Sequence, residues 1–366
     1  MEKVVVGMSG GVDSSVCAYL LKKQGYDVIG VTMQIWQDED TCSLEENGGC
    51  CGLSAVEDAR AVANKLEIPY YVMNFKNDFK ENVIDYFINE YEGGRTPNPC
   101  IACNRYVKWE SLLNKSLQLG ANYIATGHYA KIIKNNGRYT LQMSKTKAKD
   151  QTYALYNLSQ EQLKRTLMPV GEFTKDEIRD LALKIGLDVH NKPDSQEICF
   201  VPDDDYGRFI RENSNKKIHE GNFLDIEGNI IGEHKGIPYY TIGQRKGLGA
   251  FGKPMFVKKI NINTNEIILS DNKDLFDKIL YATDVNFMAM ETFKETRAYG
   301  KIRYNQEKSP CTVTSLDENE IENLGFKSRK NLIKIEFDQA QRAVTPGQAV
   351  VIYNDENMVL GGGTIV

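Results

Sequence analysis

Along the first half of the chain, short apolar runs alternate with amphipathic stretches, and from about residue 206 the pattern shortens to a two-fold apolar/polar rhythm. The first regime predicts strands at 4–8, 28–33, 70–75 and 123–126, with helices near 13–24, 54–66, 77–91 and 105–119 between them. Val16, Tyr19 and Leu20 fall on one stripe of the first helix, and Gly25 offers it a left-handed stop. Ser54 with Glu57, and Thr174 with Glu177, have the spacing of capping boxes. Strand and helix in alternation imply an α/β fold with a doubly wound, mostly parallel sheet. After Ala130 the pattern predicts a hairpin around Asn136-Gly137 and then a helical region ending near Gly186. Turns at Glu227-Gly228-Asn229, Gly236-Ile237-Pro238 and Thr264-Asn265 mark the β-rich remainder, and a boundary is expected near 280. The expected organisation is a catalytic domain over 1–205, a small β-rich central domain over 206–280, and a C-terminal β-barrel or sandwich over 281–366.

Composition narrows this little. With 41% hydrophobic and 26% charged residues in 366, the chain reads as globular with two or three domains. No apolar run approaches the roughly 18 residues of a membrane span, so a cytoplasmic protein is expected. The net charge of −5 argues against indiscriminate nucleic-acid binding. Local charge differs: Lys131, Lys134, Arg138, Lys145, Lys147 and Lys149 accompany a single acid up to Asp150, a stretch suited either to a polynucleotide backbone or to a solvated hairpin face. The acidic run 38–46 reads as a solvated loop.

Candidate chemistry begins at the first strand-to-helix turn. In Gly7-Met8-Ser9-Gly10-Gly11-Val12-Asp13-Ser14, backbone N–H groups at the turn and the first helical turn can converge on an anion, and the glycines let it approach closely. This is not the Walker pattern, which needs a lysine and a hydroxyl that are missing here. Gly247 to Lys253 has the Walker spacing, but Pro254 replaces the hydroxyl and no strand leads into it. Ser9 to Ser14 instead resembles the SGGxDS loop (PP-loop) of the adenylating ATP pyrophosphatases, whose domain is adenine nucleotide alpha hydrolase-like. Ligands of such sheets sit beyond the carboxyl ends of the strands, where Met33 and Gly127-His128 also fall.

Eight cysteines (17, 42, 50, 51, 100, 103, 199, 311) with no secretion signal argue for thiol or metal chemistry rather than a disulfide scaffold. Cys100 and Cys103 have C-x-x-C spacing in a proline-stiffened loop before a helix expected to begin near Asn104, and a helix N-terminus would lower the pKa of the Cys103 thiol. Cys199 stands far off in Asp194-Ser195-Gln196-Glu197-Ile198-Cys199-Phe200. On spacing alone, redox catalysis and metal or cluster ligation remain open.

Taken in order, SGGVDSS, GRTPNPCIACN, ATGHYA, KDQTYAL, DSQEICF, YYTIGQRKGLG, KIRY and GQAVV resemble the tRNA-specific 2-thiouridylase (MnmA) family across almost the whole chain. The resemblance implies a tRNA-uridine 2-sulfurtransferase that uses ATP and Mg2+ to replace the 2-oxygen of the wobble uridine of tRNAs of the Lys, Glu and Gln type. Gly7, Met8, Ser9, Gly10, Gly11, Val12, Asp13 and Ser14 would cradle ATP, with Met33 and Gly127 touching the nucleotide. Asn98, Pro99 and Cys100 would line the uracil pocket, Cys103 would be the nucleophile, Cys199 would carry sulfur as a persulfide, and Asp13 would join these two as catalytic. His128, Lys149, Asp150, Gln151, Arg303, Tyr304 and Gln348 would contact tRNA, and a cysteine desulfurase or relay protein would supply sulfur. On this resemblance Cys103 would either release hydrosulfide by forming a Cys103–Cys199 disulfide or take part as a covalent carrier. Many members carry Asp where this chain has Cys100, so a 4Fe-4S cluster on Cys100, Cys103 and Cys199 is the alternative route, and Cys42, Cys50 and Cys51 could bind metal or stay unpaired. Two rivals use the same residues differently: an adenylating amide ligase, which needs no thiol pair, and a non-catalytic nucleotide-dependent RNA-binding module.

Overall fold

A computed structural model describes residues 1–35, 53–192, 198–326 and 331–366. The acidic run 38–46, Cys42, Cys50 and Cys51, and Asp194 to Glu197 lie outside the described residues. The chain divides into two compact units, one of residues 1–84, 99–204 and 356–359, the other of 85–98, 205–355 and 360–366.

The first unit is built on a five-stranded, all-parallel sheet in the order β3-β2-β1-β4-β7. Its strands are β1 (Lys3–Gly7), β2 (Asp27–Gln34), β3 (Tyr70–Asn74), β4 (Tyr123–Thr126) and the two-residue β7 (Thr166–Leu167), which the pattern did not predict. Helix α1 (Val12–Lys23) returns β1 to β2 and α2 (Leu53–Lys65) returns β2 to β3. Val4, Val6, Val16, Leu21, Ala59 and Val62 share one core, the reason for the apolar runs and stripes in the sequence. Gly25 takes φ +90° and α1 closes in a Schellman motif, with Tyr26 N–H on Leu21 C=O (3.2 Å) and Gly25 N–H on Lys22 C=O (3.0 Å). Ser54 is already inside α2 and does not cap it, whereas Thr174 and Glu177 do form a capping box for the helix Lys175–Lys184.

Strand order reverses at β1. From there the chain winds outward through β2 and β3, and β4 lies on the other side of β1. Such a switch point opens a crevice beyond the carboxyl ends of the two strands that flank it, here Gly7 and Thr126. The hairpin of β5 (Ala130–Asn135) and β6 (Arg138–Met143) turns through Asn136 (φ +48°) and Gly137 (φ +82°), the two positive φ angles of a type I′ turn. Residues 356–359 edge this hairpin, with Met143 N–H on Asn357 C=O at 3.0 Å.

In the second unit β8 (Gly221–Leu224), β9 (Ile230–His234), β10 (Phe256–Asn261) and β11 (Glu266–Ser270) form a four-stranded sheet around Phe223, Tyr240, Val257, Ile267 and Leu269. The Gly247–Lys253 stretch precedes β10 with no helix after it, and Lys253 pairs with Asp271 at 2.9 Å. A closed barrel follows: β12 (Phe276–Phe287), β15 (Ile333–Arg342), β14 (Ser309–Ser315), β13 (Thr296–Lys301), β16 (Ala349–Tyr353) and β17 (Val359–Ile365), in that order around the wall. β12 begins at Phe276, so the boundary expected near 280 cuts through the first barrel strand. Two-fold patterning also hid the helix Tyr206–Asn213, capped by Asp205, whose Phe209 packs on Phe87 and Tyr206 on Tyr91.

Candidate active site

Between β1 and α1 the chain makes a tight glycine-and-serine turn. Met8 N–H is held on Val31 C=O at 2.8 Å, and Met8 C=O accepts from the Thr32 hydroxyl at 2.7 Å. The Ser14 hydroxyl accepts the Ser9 N–H (3.2 Å) and donates to Gly11 C=O (3.2 Å), and Ser15 donates to the same carbonyl at 2.8 Å. Gly10 has φ +68°, and a Cβ there would stand 2.4 Å from Ala55 O, so both conformation and space demand glycine. Gly11 then caps α1 with no side chain of its own.

From the far side of the switch point, β4 delivers Gly127 onto the same turn. A Cβ at Gly127 would meet Asp13 C and Ser14 N, both at 2.6 Å, so two elements far apart in sequence share one backbone contact. Asp13 accepts from the Tyr129 hydroxyl at 2.7 Å and from Lys175 Nζ at 2.9 and 2.8 Å on its two oxygens. Lys175 and Tyr129 were missed in the sequence, where the only trace of Lys175 is its position directly after the capping Thr174. Met33 lies near the end of β2, opposite Met73 of β3.

His128 follows Gly127. Its Nδ1 is 2.8 Å from the Thr126 hydroxyl and its ring packs against Trp109. Burial, and then the nearby Lys108 ammonium, push the imidazole pKa well below its usual value, so the ring is neutral at pH 7. Gln151 is clamped to Tyr129, its side-chain oxygen accepting Tyr129 N–H at 2.8 Å and its N–H donating to Tyr129 C=O at 2.9 Å. Asp150 is 5% exposed and turned inward, accepting from Ser144 N–H (3.0 Å) and from the Thr152 N–H (3.2 Å) and hydroxyl. Two of the basic residues around Lys149 are spent within the unit, Lys131 on Glu172 and Lys145 on Glu177.

The thiols differ sharply in surroundings. Burial pushes the Cys17 thiol up, and that of Cys311 up to about 12, which keeps both protonated and inert. Cys100 and Cys199 are exposed and Cys103 is partly so. All five described cysteines are reduced thiols, with no disulfide among the described residues. The helix expected from Asn104 instead begins at Pro99, as residues 99–102, runs π-helically through Cys103–Leu112, and ends at Gln118. Proline suits a first helical position because it has no N–H to lose there. Cys100 therefore occupies the first turn and Cys103 the second, which corrects the placement of Cys103 at a helix N-terminus. Asn104, 3% exposed, ties this helix to Ala154 C=O at 2.9 Å and accepts from Lys108 at 2.8 Å. Phe200, next to Cys199, packs edge-on against Phe79 at 5.7 Å. Among the described residues no three Cys, His, Asp or Glu side chains stand together as metal ligands.

In the second unit, Gln348 donates to Thr96 C=O at 2.9 Å and to Pro97 C=O at 3.3 Å, fixing the segment that leads to Asn98. Arg303 donates to Ala343 C=O at 2.8 Å, and Tyr304 is 37% exposed.

A parallel sheet with a glycine-and-serine loop at its switch point defines a doubly wound α/β protein. The family described as tRNA methyl transferase HUP domain matches residues 2–203, followed by its PRC-barrel domain over 207–271 and an aminomethyltransferase β-barrel domain over 277–365. Two relatives named tRNA-specific 2-thiouridylase MnmA are similar from end to end: one from Lachnoclostridium phytofermentans, 63% identical with all of both chains covered, and one from Clostridioides difficile, 59% identical over all of this chain and 98% of its own. The chain belongs to the tRNA-specific 2-thiouridylase MnmA family. A crystal structure of a 4-thiouridine synthetase–RNA complex with bound ATP shares 18% identity over 54% of this chain and 45% of its own, at a TM-score of 0.34, too slight a likeness to argue from.

Proposed function

We propose that the protein is an ATP-dependent tRNA-uridine 2-sulfurtransferase acting on the wobble uridine. The observation that carries the reading is the end-to-end identity with relatives named for 2-thiouridylation, in a chain that also keeps an anion-binding loop and exposed thiols. The family's methyl-transferase label is the weaker guide, because methyl transfer calls for neither an adenylating loop nor a thiol pair.

The chemistry follows from the uracil C2 oxygen being a poor leaving group. That oxygen attacks the α-phosphorus of ATP, pyrophosphate departs, and C2 now carries an AMP ester. The N–H groups of Gly10 to Ser14 are the donors for the phosphates. Asp13, the carboxylate at the loop, already accepts from Lys175 on both oxygens and from the Tyr129 hydroxyl, so it does not stand ready as a magnesium ligand, and no step is routed through that ion. The terminal sulfur of a Cys199 persulfide attacks C2 and AMP leaves with the oxygen. The Cys103 thiolate then attacks Cys199 Sγ, the S–S bond breaks with its electrons left on the C2 sulfur, and a Cys103–Cys199 disulfide forms. An external dithiol reduces that disulfide before the next turnover. The neutral His128 suits a hydrogen bond to RNA, and Lys149, Gln151, Arg303, Tyr304 and Gln348 are the further RNA contacts of this reading. We take 1–205, 206–280 and 281–366 as working domains, with the last cut moved to the start of β12. A cysteine desulfurase or relay protein is the sulfur source, tRNAs of the Lys, Glu and Gln type are the substrates, and the compartment is the cytoplasm. No helix among the described residues is long and apolar enough to cross a membrane.

Mass spectrometry of tRNA incubated with ATP, Mg2+, a sulfur donor and the protein should show 2-thiouridine. Cys103→Ser and Cys199→Ser should abolish it while leaving unfolding unchanged. Unmodified uridine with the wild-type protein, or ATP cleavage driven by an amino acid in place of tRNA, would replace this reading with the amide-ligase one.

A further inference from the structure

Arg342, the last residue of β15, carries a charge that no carboxylate among the described residues answers, whereas Arg95, Arg208 and Arg297 of the same unit are paired with Glu90, Glu212 and Asp338. Its Nε donates to Asn272 Oδ1 at 2.8 Å, and the guanidinium lies over the Phe256 ring, 5.2 Å from the centroid. These two contacts hold the fork in place and leave Nη1 and Nη2 as donors that no described residue accepts from. Arg303 comes to the same place from elsewhere on the barrel, its Nη2 donating to Ala343 C=O at 2.8 Å and to the Thr345 hydroxyl at 3.3 Å. Both guanidiniums stand over Gly243, where a Cβ would lie 3.4 Å from Nη1 of Arg342, 3.7 Å from Nη2 of Arg303 and 2.6 Å from Cβ of Ala343. Gly243 has φ +85°, so the turn that admits two arginines to one spot needs glycine in both conformation and space. The two nitrogens are no further apart than those first two distances together, a gap that one phosphate spans with two of its oxygens. The spot also adjoins the segment that leads to Asn98. Thr345 is followed by Pro346, whose C=O accepts Thr96 N–H at 2.9 Å, and Thr241, two residues before Gly243, accepts from the Thr96 hydroxyl at 3.1 Å.

We propose that Arg342 binds a backbone phosphate of the RNA strand that carries the target uridine, with Arg303 on the other side of the same phosphate. This rests on the reading above that the substrate is tRNA, and it adds a residue and a kind of contact to that reading. The contact is a charge-assisted one to a phosphodiester, which fixes the strand in position without reading its bases. The same donors would suit a free anion such as pyrophosphate, and a plain strut between β15 and Phe256 would need no ligand at all.

The test is filter binding of unmodified tRNA of the Glu type to the full chain over a series of salt concentrations, for wild type, Arg342→Gln and Arg342→Lys, with thermal unfolding of each. Arg342→Gln should weaken binding about tenfold and make the slope of log affinity against log salt shallower by about 0.7, the share of one phosphate on a single strand. Arg342→Lys should keep the wild-type slope while losing part of the affinity, because an ammonium keeps the charge but not the fork. In the wild type, a neutral methylphosphonate at one linkage near the target uridine should weaken binding by a similar factor, and Arg342→Gln should lose most of that sensitivity. An unchanged slope in a folded Arg342→Gln protein overturns the proposal and leaves the strut. So does the absence of any sensitive linkage in the wild type, a measurement that needs no variant to fold. Pyrophosphate binding that disappears with Arg342→Gln while the RNA slope stays overturns it in favour of a free anion. Failure of the wild-type chain to bind tRNA overturns the reading beneath as well, which an unchanged slope does not.

Discussion

At the end of β4, His128 presents a neutral ring rather than a charge, because burial and the Lys108 ammonium both oppose its protonation. A neutral donor adds no released counterion when RNA binds. His128→Asn should therefore weaken tRNA binding without altering the slope of log affinity against log salt, whereas Lys149→Ala should make that slope shallower; filter binding at several salt concentrations checks both. Glycine carries the same kind of specificity. Gly127→Ala places a methyl 2.6 Å from two backbone atoms of the loop, neither of which can yield without moving α1. Calorimetry should show a destabilisation of about 1–3 kcal/mol together with lost ATP binding, and a folded variant of wild-type affinity would mean that β4 does not set the loop.

Single elements are decided by their buried polar ties. The helical run from Pro99 is held through Asn104, and Asn104→Ala would leave Ala154 C=O and Lys108 without that partner, at a cost of about 1–3 kcal/mol measured by urea unfolding. In the four-stranded sheet, His234 ends β9 with Nδ1 accepting Gly236 N–H at 3.0 Å and Nε2 facing Asn265 C=O at 3.2 Å, an arrangement that requires the neutral ring. Burial lowers its pKa below the ordinary 6.5, with the Asn265 carbonyl partly opposing. The unfolded chain then binds more protons, so the stability contributed by His234 is complete above about pH 6.5 and is lost as pH falls from there toward the folded-state value. The protection factor of the Gly236 amide, its exchange slowed relative to an unstructured amide at the same pH, should fall over that interval in wild type, and His234→Gln should flatten the dependence.

For the whole molecule, each unit is assembled from separate stretches of the chain. The first unit recruits residues 356–359, where Thr140 donates to Val359 C=O at 2.5 Å and Met143 to Asn357 C=O. A fragment ending at residue 204 lacks that edge. It should melt below the corresponding unit of the full chain, by circular dichroism, and equal melting would show that residues 356–359 contribute nothing. The second unit depends likewise on residues 85–98, with Gln348 and Pro346 holding Thr96.

Local signals were legible wherever a residue's own backbone settles the matter. Gly10, Gly25, Asn136-Gly137 and Thr174/Glu177 took the conformations that their side chains allow, and the apolar runs of β1, β2 and β4 became buried parallel strands. Two signals were readable and misassigned: Pro99 starts the helix instead of stiffening a loop, and Asp205 caps a helix within a stretch that reads as strand. What tertiary structure alone decided was every pairing across distance. Lys175 and Tyr129 on Asp13, Gly127 against the first turn of α1, and the inward turn of Asp150 depend on which strands become neighbours, and strand order is fixed by the summed burial of a whole sheet rather than by any local run of residues.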